Sequence, residues 1–261
     1  MRGNQVGWSS TETLGALAVG FTLLAAFVAW ERRARQPMLP IGLFRSRSFA
    51  AGNTAIFFTL ASLFGGVFFF AQLLQVGLGY GPLATGVRLL PWTATFIVVA
   101  PVAGALANRI GERTLMVAGL TLQAIGMAWL AIIAEPGLAY GRMLAPFIVA
   151  GIGVSMAIPS AQNSVVGHAE ADVIGKVAGA NSMMRELGGV FGVAVGVAVF
   201  AAAGSYASAA SFIDGFGPAI GVAAALSVVG AIAGLALPSR SQAPVVQTDS
   251  ETDRPVLDIA S

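Results

Sequence analysis

Residues 50–73 read AAGNTAIFFTLASLFGGVFFFAQL, an unbroken stretch without a charged side chain. An α-helix needs roughly 20 such residues to cross about 30 Å of hydrocarbon, and in lipid the backbone amides find partners only in a helix or a closed barrel. Six further mainly apolar stretches run through the chain, at 14–30, 86–107, 115–134, 143–164, 179–203 and 216–237, interrupted by charge only at Arg88, Arg185 and Glu186. The whole sequence is 56% hydrophobic and 10% charged, whereas in a soluble domain about a quarter of residues are charged. The pattern predicts an all-α polytopic membrane protein with seven transmembrane helices.

Charge sets the expected orientation. The gap after the first span carries Arg32, Arg33, Arg35, Arg45 and Arg47, the gap after the third carries Arg109 and Arg113, and Lys176 follows the fifth. The opposite side has only Arg2, Arg88 and Arg142, and its loops Gln75–Thr85 and Gly204–Phe216 have no basic residue. Basic loops stay cytoplasmic, so the amino terminus is expected outside a plasma (inner) membrane and the carboxy terminus in the cytoplasm. Four segments follow: an outer amino terminus with a linker helix (1–30), a basic cytoplasmic or interfacial linker (31–48), a bundle of six helices (49–238) and a cytoplasmic tail (239–261). The tail is polar and aperiodic and is expected to be disordered.

Several function classes fall away. With no cysteine, disulfides and thiolate metal sites cannot form. The single histidine, His168, sits beside Glu170 and Asp172 in a polar gap and reads as a solvated loop residue rather than a metal ligand. A pI near 9.5 reflects charges that flank membrane spans and meet anionic lipid, not nucleic acid. Residues 1–13 lack the pattern of a signal peptide, and the apolar run after them ends in Glu31-Arg32-Arg33, as a retained span does. Gly151 and Gly153 form a short G-x-G inside an apolar helix, without the strand and ribose-binding acid of a dinucleotide site. No catalytic constellation and no cofactor motif emerges, so the chain is not expected to be an enzyme.

Polar and small residues inside the spans are the candidate functional positions. Gly188, Gly192 and Gly196 make two successive G-x-x-x-G steps, which allow close helix packing. Asn181 and Arg185 precede them on the same stripe, while Glu186 lies about 100° around the helix. Two readings of this intramembrane polar group stand: a cytoplasm-side cluster that holds a closed conformation, or side chains snorkelling to the headgroups. Arg88, with Pro91 and Trp92 behind it, reads as an interfacial anchor. Gln72, Gln123, Gln162 and Asn163 are candidate polar residues of a cavity, with Gln75 close by. The phenylalanines Phe57, Phe58, Phe64, Phe68, Phe69 and Phe70 face either such a cavity or lipid.

Two segments then carry a resemblance. Gly104-Ala105-Leu106-Ala107-Asn108-Arg109-Ile110-Gly111-Glu112-Arg113 resembles the G-x-L-a-D-R-x-G-R-[RK] loop motif of the major facilitator superfamily, with Asn108 where an acid commonly stands. Gly175 to Gly192 is similar to the G-x-A-x-G-x-x-N-x-x-R-Q-L-G-G-x-x-G segment of its fourteen-span drug:proton antiporter branch, with Glu186 replacing glutamine. The linker with Gln36-Pro37-Met38-Leu39-Pro40 and Leu43-Phe44-Arg45 resembles the branch's entry into its carboxy-terminal bundle. The likeness extends over roughly residues 7 to 237.

The resemblance implies a linker helix followed by a six-helix major facilitator bundle, the carboxy-terminal half of a proton-coupled multidrug or antibiotic efflux permease. Gly104, Asn108, Arg109, Gly111 and Arg113 would form the conformational loop motif. Expected partners are membrane lipids, protons, lipophilic or cationic small molecules, and an amino-terminal bundle or a second copy. The half is expected not to transport alone. The alternative is a non-transporting accessory or interaction module, or a truncated remnant.

Overall fold

The computed structural model describes residues 11–34, 46–166 and 174–237. The segment 1–10, most of the basic linker, His168 with Glu170 and Asp172, and the tail 239–261 lie outside the described residues. Among the described residues there are seven α-helices and no strand: α1 (Thr11–Glu31), α2 (Arg47–Gln72, continued by a π-helical turn over Leu73–Gly77), α3 (Pro82–Ile110), α4 (Glu112–Ile133), α5 (Tyr140–Val166), α6 (Ile174–Ala203) and α7 (Ala209–Leu235). Helices α2 to α7 are each long and apolar enough to cross a membrane. The first is shorter, 21 residues, and takes no part in the principal helix contacts.

Each helix begins before the apolar stretch that announced it, because helical hydrogen bonding starts in the polar flank, while α4 and α7 stop at Ile133 and Leu235, just inside their stretches. The expected loop Gly204–Phe216 is in fact five residues long, since Ser208 caps α7 by accepting the Ser211 amide at 3.1 Å and the helix restarts at Ala209. On the same side, Pro82 opens α3 inside the expected loop Gln75–Thr85. At the opposite end, α3 and α4 are joined by one residue. Gly111 has φ +87° and ψ 146°, and its amide closes α3 on Ala107 O at 2.9 Å. A side chain is strained in that region of backbone space.

The packing pairs place α3, α5, α2 and α6 side by side in a row, with α4 behind α5 and α7 behind α2 and α6. Glycine sets the spacing of the tightest pairs. A Cβ at Gly188 would strike Phe57 O and one at Gly192 would strike Ala61 O, which seats α6 on the backbone of α2. Across α4 and α5, a Cβ at Gly119 would meet Gly153 O at 2.6 Å and one at Gly126 would meet the Ala150 amide at 2.5 Å. Gly151, two residues from Gly153 and so on the other side of α5, lies against Trp92 O of α3. The G-x-G of the sequence therefore serves two different helix contacts.

Two apolar cores result. One, near the α2–α3, α4–α5 and α6–α7 turns, is built of large rings: Phe69, Phe70, Phe147, Phe200, Phe212 and Phe216. The other, toward the opposite end, uses alanines such as Ala55, Ala157, Ala161 and Ala231 with Met116 and Leu120.

Candidate transport cleft and its polar supports

Between α2, α3 and α5 a cleft of about 400 Å³ opens on the row. Helix α3 supplies Trp92, Thr93, Phe96 and Ile97, and Leu63 of α2 with Val154 and Ile158 of α5 complete the lining. Thr93 adds little polarity, because its hydroxyl donates back to Leu90 O at 3.2 Å and Leu89 O at 3.4 Å. The slot is thus walled by apolar surface, of a size that suits a small organic molecule.

One turn before Trp92 on α3, Arg88 is held rather than dangling. Its guanidinium carbon lies 3.8 Å from the centre of the Tyr80 ring and 5.5 Å from that of Tyr140. Nη1 donates to Ala84 O at 3.2 Å, and the Tyr140 hydroxyl donates to Arg88 O at 2.9 Å. The nearby Arg142 pairs with Glu135, both half exposed. Among the described residues that is the one ion pair, so the Arg88 charge has no acidic partner there.

Behind the row lies a buried polar knot. Gln123 Nε2 on α4 donates to Ser62 Oγ on α2 at 3.0 Å, Ser62 donates to Ala223 O on α7 at 2.7 Å, and the Ser227 hydroxyl is 2.5 Å from Ser62. All three side chains are fully buried. With its proton on Ala223 O, Ser62 accepts from Gln123 and from Ser227, and Met127 Sδ lies 3.3 Å from the same hydroxyl. Gln123 Oε1 is sealed without a donor among the described residues.

The residues singled out in the sequence separate by location. Gln123 belongs to this knot, while Gln72 and Gln162 are half-buried and Asn163 is exposed, and none of the four lines the cleft. Asn181 is buried and donates to Asn53 Oδ1 at 3.4 Å, and Asn53 in turn donates to Phe49 O at 2.9 Å, a polar step between α6 and α2. Arg185 is half-buried and Glu186 exposed, and among the described residues neither bonds to Asn181 or to the other. Gly188, Gly192 and Gly196 all face α2, the last against the Phe69 ring. In the loop motif, Gly104 is surrounded by open space, Arg109 is exposed in the last turn of α3, Gly111 is the junction and Arg113 is half-buried. Asn108 lies in α3, with its side chain outside what is described. Of the phenylalanines, Phe69 and Phe70 are core, Phe57, Phe58 and Phe68 half-buried, and Phe64 exposed.

Ser62, Ser227, Asn53 and the cleft's Phe96 and Ile97 carried no local signal, since isolated residues on different helices form no motif until the helices meet. Gly119 and Gly126, spaced seven apart on one face of α4, were the legible sign of the α4–α5 seam.

Comparison with known proteins agrees with this architecture. The family model described as Major Facilitator Superfamily matches residues 3–193. The Tetracenomycin C resistance and export protein of Streptomyces glaucescens is 33% identical over 189 residues, 72% of this chain and 35% of that protein. The Multidrug efflux pump LfrA of Mycolicibacterium smegmatis is 32% identical over 224 residues, 86% of this chain and 44% of that protein. Multidrug resistance protein Stp of Mycobacterium tuberculosis is 31% identical over 202 residues, 77% and 37% respectively. The chain spans less than half the length of each of these relatives. Six apolar membrane-length helices, a loop motif closed by a positive-φ glycine and a family match over most of the sequence lead to one conclusion: the chain belongs to the Major Facilitator Superfamily.

Proposed function

We propose that the chain supplies the carboxy-terminal bundle of a proton-coupled efflux transporter for antibiotics and other lipophilic or cationic compounds. In this reading the bundle occupies residues 49–238 and α1 is a linker helix crossing the cytoplasmic membrane. The amino-terminal segment faces outward. The basic linker, the α3–α4 and α5–α6 junctions and the tail face the cytoplasm, as their positive charge favours. Gly104, Asn108, Arg109, Gly111 and Arg113 act as the conformational loop, and Asn181, Arg185 and Glu186 tune the cytoplasmic end of α6.

The observation that carries the reading is the uncovered front of the row. On its flank α3 keeps only 6% of its apolar window buried, and beside it the cleft opens. A second bundle laid against that row would cover α3 and α6 and convert the cleft into part of a cavity between bundles, as alternating access requires. The names of the relatives, which speak of export and multidrug efflux, support this assignment. The second bundle, expected to carry the proton-coupling acid, comes from further polypeptide, a separately encoded half or another copy.

The test is efflux of a fluorescent antibiotic from cells stripped of their own pumps, with the chain expressed alone and beside the amino-terminal bundle of a relative. Protonophore-sensitive efflux is expected in the second case, and efflux in the first as well would identify another copy as the second bundle. Membrane-inserted, stably folded protein that exports nothing in either case would overturn the proposal in favour of an accessory interaction module.

A further inference from the structure

The three helices that wall the cleft carry no acidic residue anywhere along their length. Across 47–77, 82–110 and 140–166 the charged side chains are Arg47, Arg88, Arg109 and Arg142, all positive. Helical geometry ties one of them to the cleft. Arg88, Trp92 and Phe96 recur every four residues, so they form a single stripe on α3 with about 6 Å between successive members. The guanidinium at the head of that stripe is pinned between Tyr80 and Tyr140 and has no counter-ion among the described residues. Arg142, by contrast, is neutralised by Glu135.

We propose that this cleft selects aromatic lipophiles that are uncharged or anionic, and disfavours cations. The inference rests on the transport reading above and narrows it: recognition of a cationic drug would have to come from outside α2, α3 and α5. The physical reason is twofold. The walls hold no carboxylate and Thr93 is turned onto its own helix, so a cation would exchange its hydration for the faces of Trp92 and Phe96 alone. A fixed positive charge about 10 Å away, in surroundings of effective dielectric about 20, lowers a cation's affinity about tenfold and raises an anion's by the same factor.

The experiment uses the purified chain in zwitterionic nanodiscs and two dyes on one ring skeleton, neutral Nile red and cationic Nile blue, with empty nanodiscs subtracted. Nile red is expected to bind about tenfold or more tightly than Nile blue. Arg88→Gln should narrow that ratio several-fold, and Val154→Phe, which fills the slot, should remove the Nile red signal. Ile97→Trp fills it from α3 and serves if the first variant fails to fold, with thermal unfolding checked for each. Equal or tighter Nile blue binding, or unchanged Nile red binding in a folded filled variant, would overturn the inference. Because binding is read without transport, the predicted dye preference in a chain that never supports efflux sinks only the transport reading. Efflux together with a preference for the cation sinks only this one.

Discussion

Helices α2 and α3 are close to equal in hydropathy, 2.0 against 1.8, yet α2 buries 56% of its apolar window and α3 only 6%. The difference lies in what their glycines meet. Gly52, Gly65 and Gly66 of α2 each face a neighbour, whereas Gly86 and Gly104 of α3 face open space. Hydropathy places a helix in lipid, where packing and not further water exclusion drives association. Helix α2 is a structural post, gripped by α5, α6 and α7, while α3 leans on α5 alone along most of its length.

Substitutions that add a side chain should separate the two helices most sharply. Gly192→Val pushes a branched side chain into the α2 backbone at Ala61, and because backbone cannot rotate away the loss should be about 3 kcal/mol or more. Thermal unfolding in detergent would read it, and a native-like midpoint would break the picture of α2 as the post. Next in size, Gly111→Ala places a Cβ at φ +87° and should cost about 1–3 kcal/mol. An unaffected variant would mean that the connection to α3 has slack.

The polar knot gives a smaller and more discriminating effect. Ser62→Ala leaves the Gln123 amide group without its acceptor and should cost about 1–2 kcal/mol. Gln123→Met also removes the sealed Oε1 and should cost less than Ser62→Ala. If the two reverse in order, the assigned direction of the hydrogen bonds is wrong. At the small end, Gly86→Ala on α3 meets nothing within 4 Å and should be neutral or stabilising by at most about 1 kcal/mol. A clear loss there would show that α3 is packed after all.

Span number and helical class were legible because hydropathy over 20 residues is a local property of the chain. The Gly188, Gly192 and Gly196 stripe was legible for the same reason, since helical spacing alone aligns it. The roughly 100° between Arg185 and Glu186 is a property of helical spacing alone, and the two side chains sit half-buried and exposed. What escaped was whatever needs two helices at once. Ser62, Gln123 and Ser227 lie on α2, α4 and α7, and no spacing in the sequence links them. The sequence marks Arg88 as an interfacial anchor, while its stacking needs Tyr80 from one turn and Tyr140 from another. The loops ran shorter than the hydropathy pattern implied because caps such as Ser208 let helices begin among polar residues.

The one-residue joint at Gly111 gives α3 the mechanics of a rod with a fixed foot. Its base is tied directly to α4, a member of the tightly seamed α4–α5 pair, while the rod itself leans almost entirely on α5. Arg88 stands 23 residues above that foot, about 35 Å along the axis at 1.5 Å per residue. A lean of about 10° would carry it sideways by about 6 Å while the foot stays put. Tyr140 holds Arg88 O at 2.9 Å and Gly151 seats Trp92 on α5, so any such lean must either break these contacts or carry the upper part of α5 along with α3.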